Sequence, residues 1–184
     1  FRDRLLFQLQ RPATSGNADH YRQWAREVAG VGDALVLPLH QGPGTVKVLV
    51  VDEDRTPAKP ALLDEVFAHI EEERPIGVAV TVDAPEPLSV NIAATVEIVG
   101  QSLNTVKEVF VKKVTDYLSE ILFEKSIVSI AVIGSLLLSI EGVRDYSGLT
   151  LNGGSGNLEI QSGKIPVLEA VTLSAPTQAQ EVSV

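Results

Sequence analysis

Cysteine and methionine are absent from this 184-residue chain, tryptophan occurs once, and aromatic residues make up only 5%. Without cysteine there are no disulfides and no thiolate metal ligands, and the redox compartment leaves no mark on the sequence. Histidine is sparse: His20, His40 and His69 are scattered, with no metal-ligand spacing. Basic residues are outnumbered, with 15 Lys and Arg against 24 Asp and Glu and a net charge of −9. That balance excludes a general electrostatic grip on nucleic acid, which needs clustered Lys and Arg. It also disfavours anionic membrane surfaces. The longest apolar run, Ile127 to Ile140, is broken by Ser129, Gly134, Ser135 and Ser139 and bounded by Glu124-Lys125 and Glu141. It falls short of the roughly 20 residues a membrane helix needs and reads as a buried helix. The chain opens at Phe1, which is read as a fragment or processed product of a longer protein, so a missing signal peptide is uninformative.

What is present is ordinary globular composition, 45% hydrophobic and 21% charged, enough for one good core or two small ones. Residues 1–10 place Leu5, Leu6 and Leu9 on one side of a short helix that Pro12 stops. A second helix, capped by Asn17 or Asp19, sets Tyr21, Trp24, Ala25 and Val28 on one face. Trp24 is expected in the core. Gly30 ends that helix as a left-handed cap. Strand Ala34–Leu39 follows, with Pro38 marking an edge. Gln41-Gly42-Pro43-Gly44 turns the chain into strand Thr45–Val51, whose lost alternation points to burial on both faces. Helix Ala61–Glu72 presents Leu63, Val66, Phe67 and Ile70, and strand Val78–Val82 completes an α-β-β-α-β unit.

The expected boundary is Asp83-Ala84-Pro85-Glu86-Pro87, since two close prolines do not suit a central strand. Beyond it come a long alternating strand, Leu88–Val99, and a helix to about Leu122 with Thr105 and Glu108 at capping-box spacing. That helix turns Val106, Val109, Phe110, Val114, Tyr117, Leu118 and Ile121 inward. Within Ile127–Ile140 an extended start leads into a helix burying Ile130, Ile133, Leu137 and Ile140. Strands Val143–Leu151, Leu158–Gln161 and Val167–Leu173 close the fold. The class is therefore α+β, as two small units with helices packed on mostly antiparallel sheets. The divisions are 1–16 as N-terminal helix and connector, 17–84 and 85–175 as domains, and 176–184 as a flexible tail. One echo links the units: Val28-Ala29-Gly30-Val31-Gly32-Asp33 matches Ile140-Glu141-Gly142-Val143-Arg144-Asp145 as apolar-x-Gly-Val-x-Asp. Duplication, chance and a shared local solution all fit it.

Four stretches carry residue types that could do chemistry. Asp52-Glu53-Asp54 offers oxygens to a hard cation but lacks the glycine and distal Glu of an EF-hand loop. Glu65 and His69 lie one helical turn apart without the rest of an HExxH motif. Gly42-Pro43-Gly44-Thr45 looks like half a phosphate loop but has no following Lys-Ser/Thr and no helix, so it reads as a hairpin turn. Gly153-Gly154-Ser155-Gly156 is not a nucleophile elbow. No catalytic, cofactor-binding or metal residue is assigned, and no cofactor is expected.

The pattern Gly16-Asn17, Tyr21, Trp24-Ala25, Val28-x-Gly30-Val31-Gly32, Ala34, then Gly42-Pro43-Gly44-Thr45-Val46-x-Val48, resembles the baseplate J-like proteins. The similarity continues through Arg74-Pro75-x-Gly77, Gly142-Val143 with Asp145, and Ile165-Pro166-Val167, so it spans about residues 1–173. These proteins are structural components of the tail baseplate in contractile-tailed phages and related prophage particles. The resemblance implies a non-enzymatic wedge component that holds neighbours in register and transmits the rearrangement triggering sheath contraction. It implies other baseplate and tail proteins as partners, in a homo- or hetero-oligomer, with neither nucleic acid nor membrane. It also implies a further N-terminal region, and a place in the virion tail baseplate after assembly in the bacterial cytoplasm. Two other classes compete: a peptide- or small-ligand-binding module using an open strand edge, and part of a hydrolase whose site a missing segment completes.

Overall fold

The computed structural model describes residues 18–176. The helix expected over 1–10, its connector and the tail beyond Pro176 lie outside the described residues. The chain divides into two compact units between Glu86 and Pro87.

The first unit runs α1 (Ala18–Glu27), β1 (Val31–Pro38), β2 (Thr45–Asp52), α2 (Pro60–Glu73) and β3 (Ala79–Asp83). Its sheet has the order β1-β2-β3. β1 pairs antiparallel with β2, while β3 returns parallel on the other side, from Thr45↔Ala79 to Leu49↔Asp83. The crossover through α2 makes this parallel pairing possible, so the sheet is mixed rather than mostly antiparallel. β2 is the central strand, and Val48, Leu49, Val50 and Val51 are all buried. Each such side chain contributes about 1.5–3 kcal/mol relative to exposure. Tyr21 and Ala25 of α1 and Val66 and Ile70 of α2 join Val48 and Val50 in one core. Tyr21 and Trp24 meet edge to face, with ring centroids 5.0 Å apart. Trp24 packs on this core half-buried. Phe67, expected inside, is exposed: it sits on the flank of α2, beyond the stripe centred on Val66 and Ile70.

The second unit runs β4 (Glu86–Ile98), α3 (Leu103–Glu120), β5 (Ile127–Val128), α4 (Ile130–Leu138), β6 (Val143–Leu151), β7 (Leu158–Glu159) and β8 (Lys164–Ser174). β4 is the central strand of a β6-β4-β8 sheet, antiparallel to β6, and β5 pairs with β7 in a two-stranded sheet. Asn91 reaches Glu169 and Thr95 reaches Ser174, so position rises along β4 and β8 together and that pair is parallel. The expected linker is partly strand. Pro87 sits inside β4, but pairing with β6 starts only at Ile92, so Pro87 removes no bond from that ladder. The cap of α3 also differs from expectation: Ser102 accepts the Thr105 N–H, and Thr105 is itself in the first turn. Val106, Phe110, Val114 and Leu118 bury against Val90, Ile92, Ala94 and Val96, whereas Val109 is exposed. In α4, Ile133 and Leu137 are fully buried and Ile130 is half-buried.

Candidate functional site

Each stretch with chemical potential is tied into local structure. The Asp52 carboxylate accepts the Thr56 N–H at 2.9 Å and the Thr56 hydroxyl at 2.8 Å, while the Asp52 N–H returns to the Thr56 carbonyl. Glu53 and Asp54 point to solvent. The acidic run therefore shapes a turn. His69 does not pair with Glu65; its Nε2 lies 3.0 Å from Glu27 Oε2, joining α2 to α1. Thr45 Oγ1 donates to the Gly42 carbonyl at 2.7 Å and accepts the Gln41 N–H at 3.0 Å, so its hydroxyl closes the hairpin. In the Gly153–Gly156 turn, Leu151 and Gly154 exchange backbone bonds at 2.8 and 2.9 Å. Among the described residues, no group of three or more His, Asp or Glu is arranged to hold a metal ion.

The strongest polar assembly is one the sequence reading missed. Asp33 is the buried charged residue of β1, and Arg22 grips it from α1 with Nε and NH2 bonds of 3.0 and 2.7 Å. Arg55 approaches the same carboxylate at 3.5 Å, and the Ala34 N–H donates at 2.8 Å. Burial works against ionisation here. The Arg22 hydrogen bonds, the Ala34 N–H and the charges of Arg22 and Arg26 outweigh it and hold the Asp33 carboxyl below its ordinary value. Both carboxylate oxygens are committed, so the group is a clamp between helix, strand and loop. A charged residue three places past a cap glycine, inside an otherwise apolar strand, was the available signal.

Other ionic contacts have the same character. Arg74 bonds Glu71 and the Val78 carbonyl, fastening the end of α2 to the approach to β3. Lys47 reaches Asp83 at 3.0 Å across the parallel pair β2–β3. No helix among the described residues is long and apolar enough to cross a membrane. The surface also carries large apolar side chains: Leu39, Phe67 and Ile76 in the first unit, and Val99, Val109, Ile127, Val132 and Leu138 in the second. The described residues thus form an α+β protein of two units, with ion pairs that fasten element to element in the first and single large apolar side chains at the surface of both.

Comparison with known proteins gives that class its family. The model of the baseplate J-like central domain matches residues 13–84, and that of the baseplate J-like protein C-terminal domain matches residues 90–174. The chain belongs to the baseplate J-like family. It is 34% identical over 185 residues to the phage-like element PBSX protein XkdT of Bacillus subtilis (strain 168), covering 96% of this chain and 53% of that protein. It is 37% identical over 100 residues to baseplate protein gp47 of Escherichia phage Mu, covering 48% of this chain and 28% of gp47. The chain therefore spans about half the length of XkdT and less of gp47. Its fold is similar to a chain in the cryo-EM structure of the anti-feeding prophage baseplate, with a TM-score of 0.63, 11% identity, and coverage of 83% of this chain and 37% of that one.

Proposed function

We propose that this chain is a non-catalytic structural part of a phage or prophage tail baseplate. The observation that carries this reading is the succession of two baseplate J-like domains, central then C-terminal, over residues 13–174. The side chains support it. Asp33, Asp52, His69 and Thr45 each make hydrogen bonds that fasten clamps and turns.

The chain's two compact units share this role. Each has its own core and mixed sheet, and its contribution is to hold neighbours in register and pass on the rearrangement that leads to sheath contraction. The partners are other baseplate and tail proteins, the assembled state is a homo- or hetero-oligomer, and assembly takes place in the bacterial cytoplasm. Exposed apolar residues supply contact area.

Affinity purification from cells making the particle is the test. The reading predicts that tagged protein brings down sheath, tube and baseplate components in fixed ratio. Recovery of the chain alone from cells full of assembled tails, or turnover of a substrate that survives in every preparation, would overturn it.

A further inference from the structure

The turn after β6 is fastened to β4 by a single side chain. β6 ends at Leu151, which pairs with Ile92, and Asn152 then carries the ladder beyond the end of the strand. Its N–H donates to the Asn91 carbonyl at 2.8 Å, its Oδ1 accepts the Asn91 N–H at 2.8 Å, and its Nδ2 donates to the Ser89 carbonyl at 2.9 Å. The side-chain amide thus stands in for a peptide group, offering an acceptor and a donor to the part of β4 that β6 does not reach. An aspartate would keep the acceptor and lose the donor. Asparagine also tolerates the left-handed backbone that the turn requires here, with φ of 49°.

The residue that follows is Gly153, and Asn152-Gly153 is the one Asn-Gly step in the sequence. Both residues are exposed in the turn. Glycine has no side chain to screen its peptide nitrogen, which is the atom placed to attack the Asn152 Cγ. That attack forms a bond from the Gly153 nitrogen to Cγ and breaks the bond from Cγ to Nδ2. The amide nitrogen leaves as ammonia, taking the Gly153 N–H proton, and a cyclic succinimide remains. Solvent water then opens the ring at either carbonyl and gives aspartate or isoaspartate. Water is consumed, ammonia is released, and nothing is oxidised or reduced.

We propose that Asn152 is a site of spontaneous deamidation, gated by release of its amide from β4, and that conversion unfastens the turn from β4. Attack requires the face of the carboxamide to turn toward the Gly153 nitrogen as Cγ becomes tetrahedral. The bonds to Asn91 and Ser89 oppose that rotation, so the folded chain reacts from a locally opened form. The outcome is not undone when the turn closes again. A carboxylate in this place still accepts the Asn91 N–H, but its second oxygen faces the Ser89 carbonyl with no donor between them. It also adds negative charge beside Asn91, whose side-chain amide already serves the Glu169 carboxylate at 3.0 Å. The isoaspartate product disturbs the turn further, because it lengthens the main chain by a methylene.

Incubation of the full chain at neutral pH, folded and in guanidinium chloride, with peptide mapping by mass spectrometry, tests the site and its gating. The peptide containing Asn152 should acquire the mass of an amide-to-acid conversion, at least about ten-fold more slowly in the folded chain than in the unfolded one. No conversion at Asn152 in the unfolded chain, or equal rates in the two states, would overturn the proposal. The consequence is read separately from Asn152→Asp, which reproduces one product. It should speed amide hydrogen exchange over Ser89 to Ile92 at least about five-fold, with exchange in the first unit unchanged. Exchange over Ser89 to Ile92 as slow as in the unmodified protein would show that the amide does not fasten the turn, and would overturn the proposal as well.

Discussion

The corner at Gly30 and the corner at Gly142 are built alike, and they part company at one side chain. Both glycines hold left-handed backbone, with φ of 92° and 90°. In each, the following valine donates its N–H to the carbonyl three residues back, Val31 to Val28 and Val143 to Ile140. Each glycine carbonyl accepts an N–H from the residue just past the antiparallel partner strand, Glu53 at 3.1 Å and Val99 at 2.8 Å. Each aspartate accepts the N–H of its successor at 2.8 Å. Even the bulge is shared, since the ladder slips a register between Val31 and Asp33 and between Ile98 and Glu97, opposite Val143 and Asp145.

The difference lies in burial. In the second unit the bulged residue is Arg144 and Asp145 is exposed. In the first the bulged residue is Gly32, whose missing Cβ lets the backbone close onto the Asp52 carbonyl, and Asp33 is buried beneath Arg22 and Arg55. The same corner can thus stand at a wet edge without charge partners, or go inside once a guanidinium clamp accompanies the carboxylate.

Substitutions can break this comparison. The largest effect is expected at Gly32→Ala, where the new methyl meets a backbone carbonyl that cannot swing away. A loss of about 3 kcal/mol or more is expected in denaturant unfolding of the first unit. Arg144→Ala at the equivalent bulge should stay within about 0.5 kcal/mol. Next comes Asp33→Ala, which leaves the Ala34 N–H and Arg22 without their acceptor and should cost about 2–3 kcal/mol. Asp145→Ala should cost about 0.5 kcal/mol or less by the same measurement.

Gly142→Ala should cost about 2 kcal/mol, against about 1 for Gly30→Ala. A Cβ at Gly142 would crowd the Val99 carbonyl at 2.9 Å, whereas at Gly30 it would meet only the Leu62 methyls, at 3.5 and 3.8 Å.

A smaller effect follows from pH. The Asp33 carboxyl is held below its ordinary value, so the unfolded chain binds that proton more readily than the folded one. Its stabilisation is therefore whole above the unfolded pKa of about 3.9 and is lost as pH falls through the lower folded value. Unfolding followed from pH 6 downward by Trp24 fluorescence should show a fall in stability that Asp33→Asn flattens.

Much of this was legible in the residues because it is local. The helix face of Tyr21, Ala25 and Val28, the buried run of β2 and both cap glycines follow from periodicity and backbone preference. The echo was visible as six positions, though not its shared bulge, which depends on the partner strand. What sequence missed depends on distant pairing. The parallel return of β3 needs the α2 crossover to choose a side. The clamp on Asp33 needs Arg22 and Arg55 brought in from 11 and 22 residues away. Phe67 and Val109 were misplaced because each lies on the border of its apolar stripe, where one neighbour decides exposure. The exposure of Leu39 and of Ile76 could not be found by pattern, since hydrophobicity alone assigns both to the interior.

The central claim is that the chain works by its place in an assembly. Cryo-electron microscopy of purified tail particles from cells producing this protein tests it most directly. The account predicts baseplate density into which both units fit as separate bodies, with apolar surface residues against neighbouring subunits. Intact, contraction-competent baseplates that contain no density for either unit would contradict it.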